Sequence, residues 1–179
     1  IDRTLFEALV EAKRTRDTGK TAVEDPLGTK LSYKKLILGA QVLGAKLAPL
    51  APEGATVGVL LPNAAGVAVT FFALQSIGRV AAMINFTAGP VNVIAACRAA
   101  KIETILTSKA FIEKGRLGDL IAKVEAAGIK TVNLEDIRAS IGFGDKIKGL
   151  LQGCKPLAER NPNDPAVILF TSGSEGTPK

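Results

Sequence analysis

Nine residues at the end of the sequence, Thr171-Ser172-Gly173-Ser174-Glu175-Gly176-Thr177-Pro178-Lys179, concentrate the side chains best suited to holding a polyphosphate. Gly173 and Gly176 let backbone N–H groups come close to an anion. Thr171, Ser172, Ser174 and Thr177 add hydroxyl donors, and Lys179 adds a mobile positive charge behind the stiff Pro178. Glu175 sets a carboxylate in their midst. The spacing is not that of P-loop ATPases, because the glycines stand three apart and a proline precedes the lysine. A Gly/Ser turn after a strand also serves ordinary hairpins, so chemistry alone leaves both readings open.

Composition removes other chemistries. The sequence holds no histidine, which excludes a Ser-His-Asp triad and His-ligated metal within this chain. Cys97 and Cys154 lie far apart and in no zinc-ligand spacing. They suit a reducing compartment and read as free thiols. The net charge is 23 − 17 = +6, with the basic residues scattered. Their densest cluster, Lys13, Arg14 and Arg16, is followed at once by Asp17. Without an arginine-rich run or interleaved aromatics, no nucleic-acid partner is expected, and the basic residues read as a solvated surface able to attract an acidic partner.

The elements that must position the loop are legible in the spacing. At 179 residues, 47% hydrophobic and 22% charged, the chain has the composition of a globular domain. Thr4 caps a first helix with Leu5, Phe6, Leu9 and Val10 on one face. Extended segments are expected at Thr21 to Glu24 and Thr29 to Leu31, joined by a turn at Asp25-Pro26-Leu27-Gly28. Ser32 caps the next helix. From Thr56 onward, short apolar runs alternate with helical segments. The runs are TVGVLLP, RVAAMIN, IETILTS, IKTVNLE and AVILF, and Asn63 is the expected cap of the helix after the first. Pro90 opens another helix, and a third spans Leu117 to Ala127. The fold class is therefore α/β, a parallel sheet with helices on both faces. Residues 135 to 165, rich in Gly, Pro and Asn, read as a linker or surface excursion, and AVILF as a buried strand. The apolar stretch Ala64 to Gly78 is short of the ~20 residues a membrane span needs and reads as a buried helix. The sequence starts at Ile1 with no secretory signal, which suggests a piece of a longer polypeptide.

The order of residues in FTSGSEGTPK adds what their chemistry does not. It resembles the signature loop of the adenylate-forming (AMP-binding) enzymes, Thr-Ser-Gly-Ser/Thr-Thr-Gly-x-Pro-Lys-Gly, departing from it at Glu175. LSYKKLILGAQVLGAKLA, VGVLLPNAAGVAVTFFALQSIGRVAAMIN and AAKIETILTS are similar to further segments of that superfamily, in its order. The resemblance implies the N-terminal α/β subdomain of an AMP-binding domain over residues 1–165. Residues 166–179 would be the strand and phosphate-binding loop that begin the next part. It implies ATP and Mg²⁺ as cofactors, with Thr171, Ser172, Gly173, Ser174, Glu175, Gly176, Thr177 and Lys179 as the ATP-binding residues. Glu175 would face solvent, approach Mg²⁺, or pair with a lysine.

The Ser-Glu-Gly variant resembles the acyl-acyl carrier protein synthetase branch, which includes bacterial bifunctional 2-acylglycerophosphoethanolamine acyltransferase/acyl-ACP synthetases. The expectation is a ligase of fatty-acid and phospholipid metabolism that activates a fatty acid and transfers it to acyl carrier protein. The alternatives are an acid–CoA ligase, with CoA as acceptor, and a non-catalytic nucleotide-binding module. No side chain of this chain is expected to be catalytic or to ligate metal, and the segment by itself is expected not to form acyl-adenylate. The parent protein is expected in the cytoplasm, touching the inner membrane only through segments outside this chain.

Overall fold

The computed structural model of the chain describes residues 2–16 and 19–170. Helix α1 (Leu5–Thr15) starts at Thr4, whose hydroxyl accepts the Glu7 N–H at 3.2 Å while Glu7 accepts the Thr4 N–H at 2.7 Å. This reciprocal cap satisfies two N–H groups that the helix itself cannot. Strands β1 (Thr21–Glu24) and β2 (Lys30–Ser32) pair antiparallel. Ser32 ends β2 and caps α2 (Tyr33–Leu47), accepting the Lys35 N–H at 3.3 Å.

Five strands then form one parallel sheet: β3 (Thr56–Val59), β4 (Val80–Met83), β5 (Thr104–Thr107), β6 (Lys130–Asn133) and β7 (Val167–Leu169). Their order is β6-β5-β3-β4-β7. Between them run α3 (Ala65–Ser76), α4 (Pro90–Ala99), α5 (Lys109–Lys114), α6 (Gly118–Ala126), α7 (Leu134–Ala139) and α8 (Phe143–Gln152). Both faces are covered, as the continuous apolar runs require. On one face Val57, Val59, Ala81 and Leu106 pack against Leu43 and Leu47 of α2 and Ala73 and Leu74 of α3. On the other, Ala82 and Ile105 pack against Val93 and Cys97 of α4 and Leu120 and Val124 of α6. A third cluster holds Phe6 and Leu9 of α1 on the outer side of α2.

Two glycines set the fit of α3. A Cβ at Gly44 of α2 would lie 2.6 Å from Ser76 Oγ and 3.1 Å from the Ala73 carbonyl, so α2 and α3 approach only because none is there. Gly78 ends the α3 segment at φ +69°, a conformation that disfavours a side chain. Arg79 next to it ties the amino edge of the sheet. Its guanidinium donates to the carbonyls of Ala51 (2.6 Å), Ala48 (3.0 Å) and Ile77.

The structure corrects three expectations. Asn63 does not cap α3; Ala64 holds the cap position, without a side-chain bond. Residues 135–165 are not merely a linker, since they hold α8 and all of α7 but its first residue. Strand β7 is not buried: it is an edge strand, with Val167 and Leu169 turned to solvent and Ile168 packed inward. Helix α5 is an addition the spacing did not suggest. The stretch from Ala64 to Gly78 is covered as expected, and among the described residues no helix is long and apolar enough to cross a membrane. Cys97 is fully buried, whereas Cys154 is half-buried and accepts a 3.3 Å contact from Lys13 Nζ.

Candidate functional site

Parallel strands bring all their exits to one edge of the sheet, and ligands of such sheets settle there, where successive connections diverge. Here the chain passes from β3 to its neighbour β4, then returns across β3 to β5. The connections leaving the neighbours β3 and β5 run to opposite sides, so the divergence lies between β3 and β5. Strand β7 lies on the far side of β4, with Met83 opposite Leu169. Phe170 leaves the sheet beside the exit of β4 and leads straight into the loop that begins at Thr171. Thr171, Ser172, Gly173, Ser174, Glu175, Gly176, Thr177 and Lys179 themselves lie outside the described residues.

The exit of β4 is a tight polar turn. Asn85 Oδ1 accepts the Thr87 N–H at 3.1 Å and the Thr87 hydroxyl at 2.7 Å, and Asn92 Nδ2 donates to the Ala88 carbonyl at 2.8 Å. Gly89, at φ +83°, then turns the chain into α4. Phe86 packs edge-to-face on Phe111 of α5, with ring centroids 5.3 Å apart. This turn lies at the sheet edge beside the end of β7.

The other exits are fixed by two carboxylates from outside the sheet. Asp25, in the β1–β2 turn, accepts the Ala65 N–H (3.1 Å) at the start of α3 as well as the N–H groups of Leu27 and Thr29. These bonds, led by that of Ala65, hold its carboxyl below the usual range. Glu135, at the start of α7, accepts the Ser108 hydroxyl (2.6 Å) and the Lys109 and Ala110 N–H groups at the start of α5. Burial by itself would raise its pKa, but the Ser108 hydroxyl and the backbone donors outweigh burial and bring it down to about 2. Both carboxylates also complement the positive ends of their helices.

Between these two carboxylates opens a cavity of about 380 Å³, lined by Thr29, Leu61, Gly66, Ser108 and Arg138 besides Asp25 and Glu135. It lies at the exits of β3 and β5 on the α3 side. Strand β7, the last described element before Thr171, lies on the other side of β4 from this cavity. Among the described residues no cluster of His, Cys, Asp and Glu side chains could hold a metal ion. Sequence reasoning overlooked Asp25 as a cap, although an Asp before Pro-Leu-Gly is itself an Asx-turn signal. Glu135 offered no comparable signal, because its partners stand about 26 residues away in the chain.

Comparison with known proteins adds to this geometry. The family described as AMP-binding enzyme matches residues 10–179. The 4-coumarate–CoA ligase 2 of Oryza sativa subsp. japonica is 28% identical over 136 residues, which are 71% of this chain and 24% of that protein. The chain thus spans about a quarter of that relative's length. Among solved structures, a VinN complex with 3-methylaspartate superposes at a TM-score of 0.76 with 20% identity, over 99% of this chain and 46% of that one. ATP-bound MatB from Rhodopseudomonas palustris superposes at 0.74 with 20% identity, over 100% of this chain and 34% of that one.

Proposed function

The chain belongs to the AMP-binding enzyme family, and from that premise we propose that it is part of an ATP-dependent acid–thiol ligase. In such a ligase a carboxylate oxygen attacks the α-phosphorus of ATP, the bond to pyrophosphate breaks, and a thiol then takes the acyl group and releases AMP. The observation that carries this reading is the match of the AMP-binding enzyme family to residues 10–179, a range that includes the Thr171–Lys179 motif just after β7. ATP-bound MatB shares the fold, which supports ATP as the co-substrate.

The work of the loop is electrostatic. The leaving pyrophosphate gathers negative charge, which N–H groups at Gly173 and Gly176, hydroxyls at Thr171, Ser172, Ser174 and Thr177, and the Lys179 ammonium would stabilise. Mg²⁺ would neutralise phosphate charge when bound. Asp25 and Glu135 are committed to helix N-termini and Asp25 and Glu135 are the carboxylates lining the cavity, so the described residues do not fit a metal site and no step is assigned to one.

Two acceptors are supported by different observations. The rice relative is a CoA ligase by name, which favours CoA. Glu175, in its Ser-Glu-Gly setting, favours a fatty acid as substrate and acyl carrier protein as acceptor. The test is acid-dependent ATP–pyrophosphate exchange by the full-length protein carrying this chain. Exchange is expected to require a carboxylic acid and to fall roughly 100-fold in Lys179→Ala. Exchange indifferent to both would sink the proposal. Single-turnover transfer to CoA or to carrier-protein phosphopantetheine then separates the acceptors, and Glu175→Thr with unchanged Mg²⁺ dependence would remove a metal role for Glu175.

A further inference from the structure

Helix α8 faces the wrong way for a helix that merely completes a core. Its inward side is small and polar. Gly149 packs on α2, where a Cβ would come within 2.5 Å of Val42 Cγ2, and Asp145 pairs with Lys46 of α2 at 3.1 Å. Its outward side carries Phe143, Ile147, Leu150 and Leu151, which are 79%, 41%, 57% and 82% exposed. At 3.6 residues per turn these four fall within an arc of roughly 100°, opposite Asp145, Gly149 and Gln152. Lys146 and Lys148 flank the arc on either side, and Lys155 follows the helix. Among the described residues no carboxylate lies within salt-bridge distance of these three lysines. Lys13 and Arg14 of α1 add two cations near the end of α8, beside a hollow that Glu7 and Glu11 also line. Lys13 reaches Cys154, two residues past α8, and Arg14 lines the same hollow as Cys154.

We infer that the outer face of α8 is a docking site for a membrane surface bearing anionic lipids, lying in the interface rather than crossing it. The surface is convex and ten residues long, about 15 Å, and gives a protein partner far less than the ~800 Å² per side of a stable interface. A bilayer imposes no shape requirement: apolar side chains enter the headgroup boundary while the flanking lysines stay with the phosphates. Charge complementarity selects anionic over neutral lipid, and the +6 net charge of the chain adds long-range attraction. This site lies within the chain, whereas the sequence alone placed any membrane contact outside it. It does not depend on the ligase reading, since α8 packs on the outside of α2, away from the strand exits.

The test is co-sedimentation of the chain with phosphatidylglycerol-rich vesicles and with pure phosphatidylcholine vesicles. Binding to the anionic vesicles is expected, weakening as salt rises. In Leu150→Gln/Leu151→Gln it should fall at least ~10-fold, with the thermal unfolding midpoint preserved because both side chains are exposed. Lys146→Glu/Lys148→Glu should lower it while keeping the apolar arc, which guards against a folding defect in the first variant. The sequence contains no Trp, so Phe143→Trp supplies an otherwise silent reporter whose emission should shift to the blue on adding anionic vesicles. No binding above the phosphatidylcholine level, or binding indifferent to both double variants, overturns the inference. So does a blue shift that grows with protein concentration without vesicles, which would assign the face to a second copy of the chain.

Discussion

At the exits of β3 and β5, side chains from distant segments hold the backbone in place: Asp25 reaches the start of α3, and Glu135 the start of α5. At the exit of β7 the hold is the ladder to β4 and two inward side chains, Ile168 and Phe170, with Val167 and Leu169 in water. The same edge of the same sheet thus has a braced part and a lightly held part, and the candidate phosphate loop springs from the second. Structural free energy is unequally distributed in folds, and segments that must adjust to a ligand are drawn from its weaker end. The braced exits preserve the frame; the β7 exit is held by its ladder and its inward side chains alone.

The strongest way to break this contrast is to attack the frame itself. Gly44→Val forces side-chain atoms against Ser76 and the Ala73 backbone, and overpacking of this kind costs about 2–3 kcal/mol. Urea unfolding should show that loss, and an unchanged midpoint would mean that α2 and α3 can separate freely. Next comes Asp25→Ala, which strips the start of α3 of its partner at a typical capping cost of about 1 kcal/mol. Native-state hydrogen exchange should then quicken at the start of α3 and leave the β7 amides, expected to be the faster set in the natural chain, unaltered. Equal acceleration across the edge would contradict the division into two parts.

The smallest effect sharpens rather than breaks the contrast. Glu135→Gln is expected to cost about 1 kcal/mol or less at neutral pH, since the group is partly solvated. The sign follows from its depressed pKa. The contribution is complete above the ordinary carboxylate value of 4.5 and disappears as pH falls towards about 2. The stability gap between the natural chain and the variant should therefore close over that acidic window. A gap that persists unchanged at pH 2 would show that Glu135 acts through packing.

What the sequence disclosed follows from the range of each interaction. Thr4 and Ser32 cap helices a few residues away, and local spacing exposes them. The apolar runs of β3, β4 and β5 are covered on both faces, so their lack of alternation was informative. Asn63 failed as a cap because the competing carboxylate, Asp25, arrives from 40 residues away. Helix α8 was hidden by its glycines. Gly149, a helix weakener by propensity, is what lets α8 sit on α2. Strand β7 looked buried because an apolar triplet reads alike at the centre and the edge of a sheet. The motif from Thr171 to Lys179 was conspicuous because its residue types and their order are all neighbours in the chain.

The packing of Cys97 has a practical consequence. Its thiol has no exposure and is pushed by burial up to about 11, so at neutral pH it is both shielded and un-ionised. Cys154 remains partly accessible at the surface. An alkylating reagent therefore meets one thiol in a folded molecule and two in an opened one. The chain carries its own pair of chemical clocks: label at Cys154 counts molecules, and label at Cys97 counts how often the core has let water in.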